Sequence, residues 1–128
     1  MSDSSLQGLK ALVIDDSKTI RRNAEMLLTR EGVKVILAED GFDALPKVYE
    51  HLPDLVLVDI MMPRLDGYNT CALIRNNKQF KDLPVIMMSS KDGLFDRAKG
   101  RVVGANFHLI KPFSRDDLLE AISSVLKK

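Results

Sequence analysis

The stretch Leu55-Val56-Leu57-Val58-Asp59 opens the segment Asp59-Ile60-Met61-Met62-Pro63-Arg64-Leu65-Asp66-Gly67. Its apolar run, without polar alternation, reads as a strand buried on both faces. Strands of that kind belong to parallel sheets covered by helices. A carboxylate where such a strand surfaces costs free energy unless something compensates for its lost hydration. Asp59 is therefore the residue the rest of the chain has to explain.

Four more short apolar runs lie outward from it: Ala11 to Ile14, Val33 to Ala38, Val85 to Met88 and Phe107 to Ile110. Segments of helical period separate them. The first follows Ser17, an N-cap residue, carries Ile20, Ala24, Leu27 and Leu28 on one face, and ends at Gly32. The second runs from about Phe42 to His51 and stops before Pro53. Pro46 inside it removes one backbone hydrogen bond and is expected to delay or kink the helix. The third spans about Tyr68 to Arg75, with Cys71, Ala72 and Ile74 inward. The fourth, Phe95 to Gly104, is weak, with two glycines and few apolar anchors. The fifth starts at Ser114, with Asp117 three residues on, close to a capping box. Leu118, Leu119, Ile122, Val125 and Leu126 complete its stripe. Strand and helix alternate five times, which predicts an α/β domain with a five-stranded parallel sheet, helices on both faces and right-handed crossovers.

The 128 residues suit one domain, with a polar, flexible N-terminal tail at 1–8, the domain at 9–128, and no room for a second. A net charge of +1 gives no overall field that favours nucleic acid or membranes. The single cysteine, Cys71, excludes an intramolecular disulfide and reads as a small buried side chain in a reducing compartment. The N-terminus lacks an apolar leader, and no apolar run approaches the ~18 residues of a membrane helix. A cytoplasmic location follows as an expectation.

In open α/β sheets, ligands bind outside the carboxyl ends of the strands. The first strand ends in Asp15-Asp16, the third in Asp59, the fourth in Ser89-Ser90 and the fifth in Lys111-Pro112. Each has a bland reading alone, as a cap, a turn residue or a solvated charge. Together they put three acids, a hydroxyl and a lysine at one edge. Three carboxylates in one cleft need a cation, and a hard divalent ion such as Mg²⁺ with oxygen ligands fits. Lysine, hydroxyl, metal and a spare carboxylate suit phosphoryl transfer, with a carboxylate as nucleophile forming an aspartyl phosphate.

From about Leu9 onward, the chain resembles the receiver domain of two-component response regulators. The residues that carry the likeness are Val13-Ile14-Asp15-Asp16-Ser17, Met62-Pro63 and Asp66-Gly67 after Asp59, Ser89, and Lys111-Pro112. The resemblance implies the flavodoxin-like, doubly wound receiver fold with strand order 2-1-3-4-5. It implies Asp59 as phospho-acceptor, and Asp15, Asp16, Asp59 and the backbone carbonyl of Met61 around Mg²⁺. Ser89 takes the switch hydroxyl position and Lys111 the phosphate-contacting one. His108 falls where the switch aromatic sits, more often Tyr or Phe. Asp15 to Arg22, Met61 to Tyr68 and Ser89 to Asp96 look like the stand-alone receiver of the type IV pilus chemosensory pathway, which works in twitching motility.

The resemblance thus implies a signalling switch rather than an enzyme, one that assists its own phosphorylation and dephosphorylation. Its partners would be a histidine kinase and a downstream protein effector, such as a pilus motor or regulatory protein, with no nucleic acid and no membrane insertion. It would be a monomer or a phosphorylation-dependent dimer. The weak fourth helix suits a moving part. Met61 and Lys91 occupy the two positions that tune dephosphorylation; the flagellar chemotaxis receiver carries polar and acidic residues there, so slow resetting is expected here. Ser90 replaces a common alanine and stays small. Alternatives are a phosphate-sink receiver or a phosphorylation-independent adaptor. A flavodoxin-type flavin carrier needs a hydroxyl- and glycine-rich loop after the first strand, where two acids stand instead. A haloacid dehalogenase-type phosphatase needs two aspartates separated by one residue, whereas Asp15 and Asp16 are adjacent.

Overall fold

The computed structural model describes residues 6–90 and 94–126, with the backbone alone at 94–97. The strands are β1 (Lys10–Ile14), β2 (Lys34–Ala38), β3 (Leu55–Asp59), β4 (Val85–Ser89) and β5 (Phe107–Ile110). The helices are α1 (Lys18–Arg30), α2 (Gly41–His51), α3 (Gly67–Asn76), α4 (Leu94–Val102) and α5 (Arg115–Leu126). All neighbouring strands pair in parallel, in the order β2-β1-β3-β4-β5. The parallel sheet expected from the alternation is observed, in the doubly wound strand order that the resemblance implies.

The two faces follow from the period-2 geometry of strands. Leu12 and Ile14, Val56 and Val58, and Val85 and Met87 pack with Ala44 and Val48 of α2 and Cys71 and Ile74 of α3. Ala11 and Val13, Leu55 and Leu57, and Ile86 and Met88 pack with Ala24 and Leu28 of α1 and Leu118, Ala121 and Ile122 of α5. Residues buried on both faces explain why β3 and β4 read as unbroken apolar runs.

The predicted caps form. Ser17 accepts a hydrogen bond from the Ile20 amide at 3.3 Å. At the other end of α1, Gly32 sits at φ +84°. The Gly32 amide donates to Thr29 and the Val33 amide to Leu28, which closes a left-handed terminus that suits glycine. Ser114 and Asp117 exchange side chain-to-amide bonds at 3.0 and 3.1 Å, a full capping box for α5. Pro46 is the sixth residue of α2 and does not delay the helix: the Asp40 side chain caps it by accepting from the Asp43 amide. Pro46 is exposed, so its ring displaces no core side chain.

The N-terminal boundary moves. Of the expected tail at 1–8, residues 1–5 lie outside the described residues, but Leu6 is buried among the α1–α5 face. The Gly8 amide bonds Gly32, and Leu9 bonds Leu6. A lone leucine in a polar stretch has no periodicity to announce it.

The loop after β3 is folded tightly against the strand it leaves. The Gly67 amide donates to the Ile60 carbonyl at 3.0 Å. A side chain on Gly67 would collide with the Asp59 carbonyl and the Ile60 backbone. Gly67→Ala is therefore expected to destabilise the fold by about 1–3 kcal/mol, as overpacking does, read as a lower urea midpoint. An unchanged midpoint would show that the loop is free to move away from Asp59.

Candidate functional site

The sheet delivers the site residues to its carboxyl edge. Asp15 directly follows β1, Asp59 closes β3, Ser89 closes β4 and Lys111 directly follows β5. Ladder bonds extend past the strands and fix these backbones: Asp15 to Ala38 at 3.2 Å, Ile60 to Met88 at 3.0 Å and Lys111 to Ser89 at 2.7 Å, each written amide to carbonyl. The peptide bond from Lys111 to Pro112 is cis.

At the centre, the Lys111 Nζ donates to Asp59 Oδ1 at 3.0 Å and to Asp15 Oδ2 at 3.3 Å. Asp15 is 0% exposed and Asp59 3%. Asp15 is also held from its own loop, since its Oδ1 accepts the Ser17 amide at 2.9 Å. Arg21 of α1 reaches back to donate to the Asp15 carbonyl at 2.7 Å. Asp16 is exposed, and carboxylate oxygens of Asp15, Asp16 and Asp59 lie within 4.8 Å of one another. Four of the sequence-derived residues thus meet in one cluster. Ser89 is 4% exposed, and its Oγ lies 2.7 Å from His108 Nε2. Met61 exposes its side chain (75%), and Lys91 lies outside the described residues.

Burial pushes the Asp59 carboxyl up to about 6, helped by the neighbouring Asp15 charge and opposed by its bond to Lys111. Burial also raises Asp15, against the lowering pull of the Ser17 amide and Lys111. For Lys111, burial acts to lower the ammonium, but its bond to Asp59 and the charges of Asp15 and Asp59 outweigh it and hold it above its ordinary value. One lysine cannot neutralise three carboxylates, so two negative charges remain when all are ionised. The donor set is entirely hard carboxylate oxygen, which fits a divalent cation of the Mg²⁺ type.

Two supports escaped the sequence reading. Ser17, expected only as a helix cap, also anchors Asp15 through its amide. Arg64, at φ +66°, pairs with Asp40 at 2.6 Å and lies over the Phe42 ring, clipping the loop after β3 to the start of α2. The capping amide of Asp43, with Arg64, holds the Asp40 carboxyl below its usual range.

Comparisons with known proteins agree with this geometry. The sequence profile of the response regulator receiver domain matches residues 11–123. Protein PilG of Pseudomonas aeruginosa is 65% identical over 117 residues, covering 91% of this chain and 87% of that protein. The probable transcriptional regulator ycf27 of Guillardia theta is 40% identical over 93% of this chain but 46% of its own length; the chain spans about half of such relatives. Among solved structures, chemotaxis protein CheY4 of Vibrio cholerae superposes with a TM-score of 0.89 at 32% identity, covering 91% of this chain and 98% of that one. A putative response regulator from Chloroflexus aurantiacus gives 0.90 at 31% identity over 94% of this chain and 98% of that one.

The raised carboxyl has a consequence for stability. In the unfolded chain Asp59 ionises near 3.8, in the fold near 6. Below the lower value it is neutral in both states and costs nothing. Between the two values the unfolded chain loses its proton first, so stability falls as pH rises. Above about 6 the penalty is constant, on the order of 3 kcal/mol. Asp59→Asn removes it but leaves Lys111 with one fewer partner. In metal-free protein this variant is expected to be more stable than wild type at pH 7.5, by about 1–2 kcal/mol, and equal to it near pH 4. Denaturant titrations at both pH values measure this; a gain that does not vary with pH would remove the buried charge as its cause. Added Mg²⁺ is expected to stabilise wild type more than Asp59→Asn, by mass action on the folded state.

Proposed function

The chain belongs to the response regulator receiver family, and on that footing we propose that it is a switch phosphorylated on Asp59 by a histidine kinase. The observation that supports it best is the Lys111 ammonium shared between Asp59 and Asp15, beside a three-carboxylate cluster. An Asp59 oxygen attacks the phosphorus of a phosphohistidine. The new O–P bond forms as the N–P bond breaks, and the leaving imidazole takes a proton from water. Asp15, Asp16, Asp59 and the Met61 carbonyl would hold Mg²⁺, which supplies charge neutralisation for the phosphoryl oxygens when bound. Lys111 then contacts the phosphoryl group, and the Ser89 hydroxyl donates to it.

The output is a change in partner affinity on the face formed by α4, β5 and α5, a shift between two packings of one fold. The 65% identity with Protein PilG supports the type IV pilus resemblance, and with it a role in twitching motility through a pilus motor or regulatory protein. Among the described residues, no helix is long and apolar enough to cross a membrane.

Incubation with acetyl phosphate and Mg²⁺ is expected to add one phosphoryl group, located at Asp59 by borohydride reduction and mass spectrometry and absent in Asp59→Ala. Partners captured with and without the phosphodonor should differ for wild type and not for Asp59→Ala. Identical sets throughout would favour a phosphorylation-independent adaptor.

Dephosphorylation should be slow. An exposed thioether at Met61 offers no strong hydrogen bond to orient an attacking water. The phosphorylated protein is expected to outlast the flagellar chemotaxis receiver, measured side by side, by about tenfold or more, and Met61→Asn should shorten its lifetime. Decay at equal rates would remove this role of Met61.

A further inference from the structure

We propose that His108 is a positioning residue that latches Ser89 in the resting state and so opposes the switch. This rests on the reading of Asp59 as phospho-acceptor. It gives the ring at the aromatic position a restraining part.

The observation is direct. The Ser89 Oγ and His108 Nε2 are 2.7 Å apart, a hydrogen bond whichever tautomer the ring adopts. Ser89 is buried, and its backbone is fixed by pairing with Ile110 of β5, by the Lys111 amide donating to its carbonyl at 2.7 Å, and by the pairing of Met88 before it with Asp59 of β3. The hydroxyl is therefore rearranged by side-chain rotation rather than backbone movement. Register places His108 opposite Met87, one side-chain pair from Ser89 and Ile110, so the imidazole reaches Ser89 diagonally across two paired strands. A phenyl ring at this position would have no nitrogen to offer.

Phosphorylation of Asp59 calls for the Ser89 hydroxyl at a phosphoryl oxygen. A hydroxyl turned to that oxygen leaves the place in which it meets Nε2. The Ser89–His108 bond therefore stabilises the resting arrangement alone. There is room for the released ring: a cavity of about 220 Å³ between α4 and β5 is lined by His108 with Met87, Gly100 and Ala105. The same space accommodates a phenyl ring, so His108→Phe deletes the bond with little disturbance of packing.

The test uses trifluoroberyllate with Mg²⁺ as the phosphoryl probe on the full chain. Losing one net hydrogen bond from the resting state alone is expected to make His108→Phe bind the probe about three- to tenfold more tightly than wild type. His108→Gln, whose amide reaches the same position, should bind close to wild type. In a Ser89→Ala background His108→Phe should change nothing, which separates the latch from a general packing effect. In wild type, the ¹⁵N resonances of the His108 ring should shift when the probe binds, toward those of unliganded Ser89→Ala. Equal or weaker binding by His108→Phe, or an effect that persists without Ser89, overturns the latch. Failure of wild type to bind the probe while folded overturns the reading of Asp59 itself, and the latch with it.

Discussion

The ammonium of Lys111, shared between Asp59 and Asp15, is the contact on which the site depends. Two carboxylates that are both almost fully buried would repel each other and would each be driven toward protonation. Lys111 offsets part of that, and the Ser17 amide holds Asp15 from the other side. The compensation is incomplete: Asp59 still sits near 6 rather than 3.8. An uncompensated acid at a strand end is a standing cost to the fold. It is also what leaves the cluster of Asp15, Asp16 and Asp59 attractive to a divalent cation. Stability and chemistry here are opposite readings of one charge imbalance.

The sheet makes that imbalance tolerable by confining it to one edge. β3 and β4 are apolar up to their last residues, and the polar residues of the site stand at the carboxyl ends of β3 and β4 or immediately after β1 and β5. Two packed faces, one under α2 and α3 and one under α1 and α5, meet the site from both sides. Gly67 allows the loop after β3 to return onto the backbone of Asp59, and Arg64 ties that loop to Asp40. Asp59 is thus supported by main chain and loop contacts, while Asp16 faces solvent.

Most of this was legible because strand ends are legible. An apolar run that stops at Asp59, Ser89 or Lys111 states both the strand and the residue it presents, and the parallel order then brings these residues to one edge. The caps at Ser17 and Ser114 were legible for the same local reason. What escaped depends on side-chain direction and tertiary packing, which no local pattern states. The bond from Arg21 to the Asp15 carbonyl uses a helix side chain whose direction the sequence does not state. Leu6 is buried by tertiary packing without any periodic neighbour. The aromatic position of His108 was recognised, but its bond to Ser89 depends on the register of β4 against β5, and a one-residue slip would turn the ring to the other face.

The entry to β5 that sets this register is held from outside the sheet. On the far side of α4, the Arg75 guanidinium donates to the carbonyls of Gly104 and Phe80 and to the Asn106 side chain, which itself accepts the Val85 amide. The turn that joins α4 to β5 is therefore stapled to α3 and to the start of β4. Gly104, at φ +96°, packs so closely on the Arg75 side chain that a Cβ there would press against it. Ala105 and Asn106 of this turn also line the cavity beside His108, so the staple fixes one wall of that space.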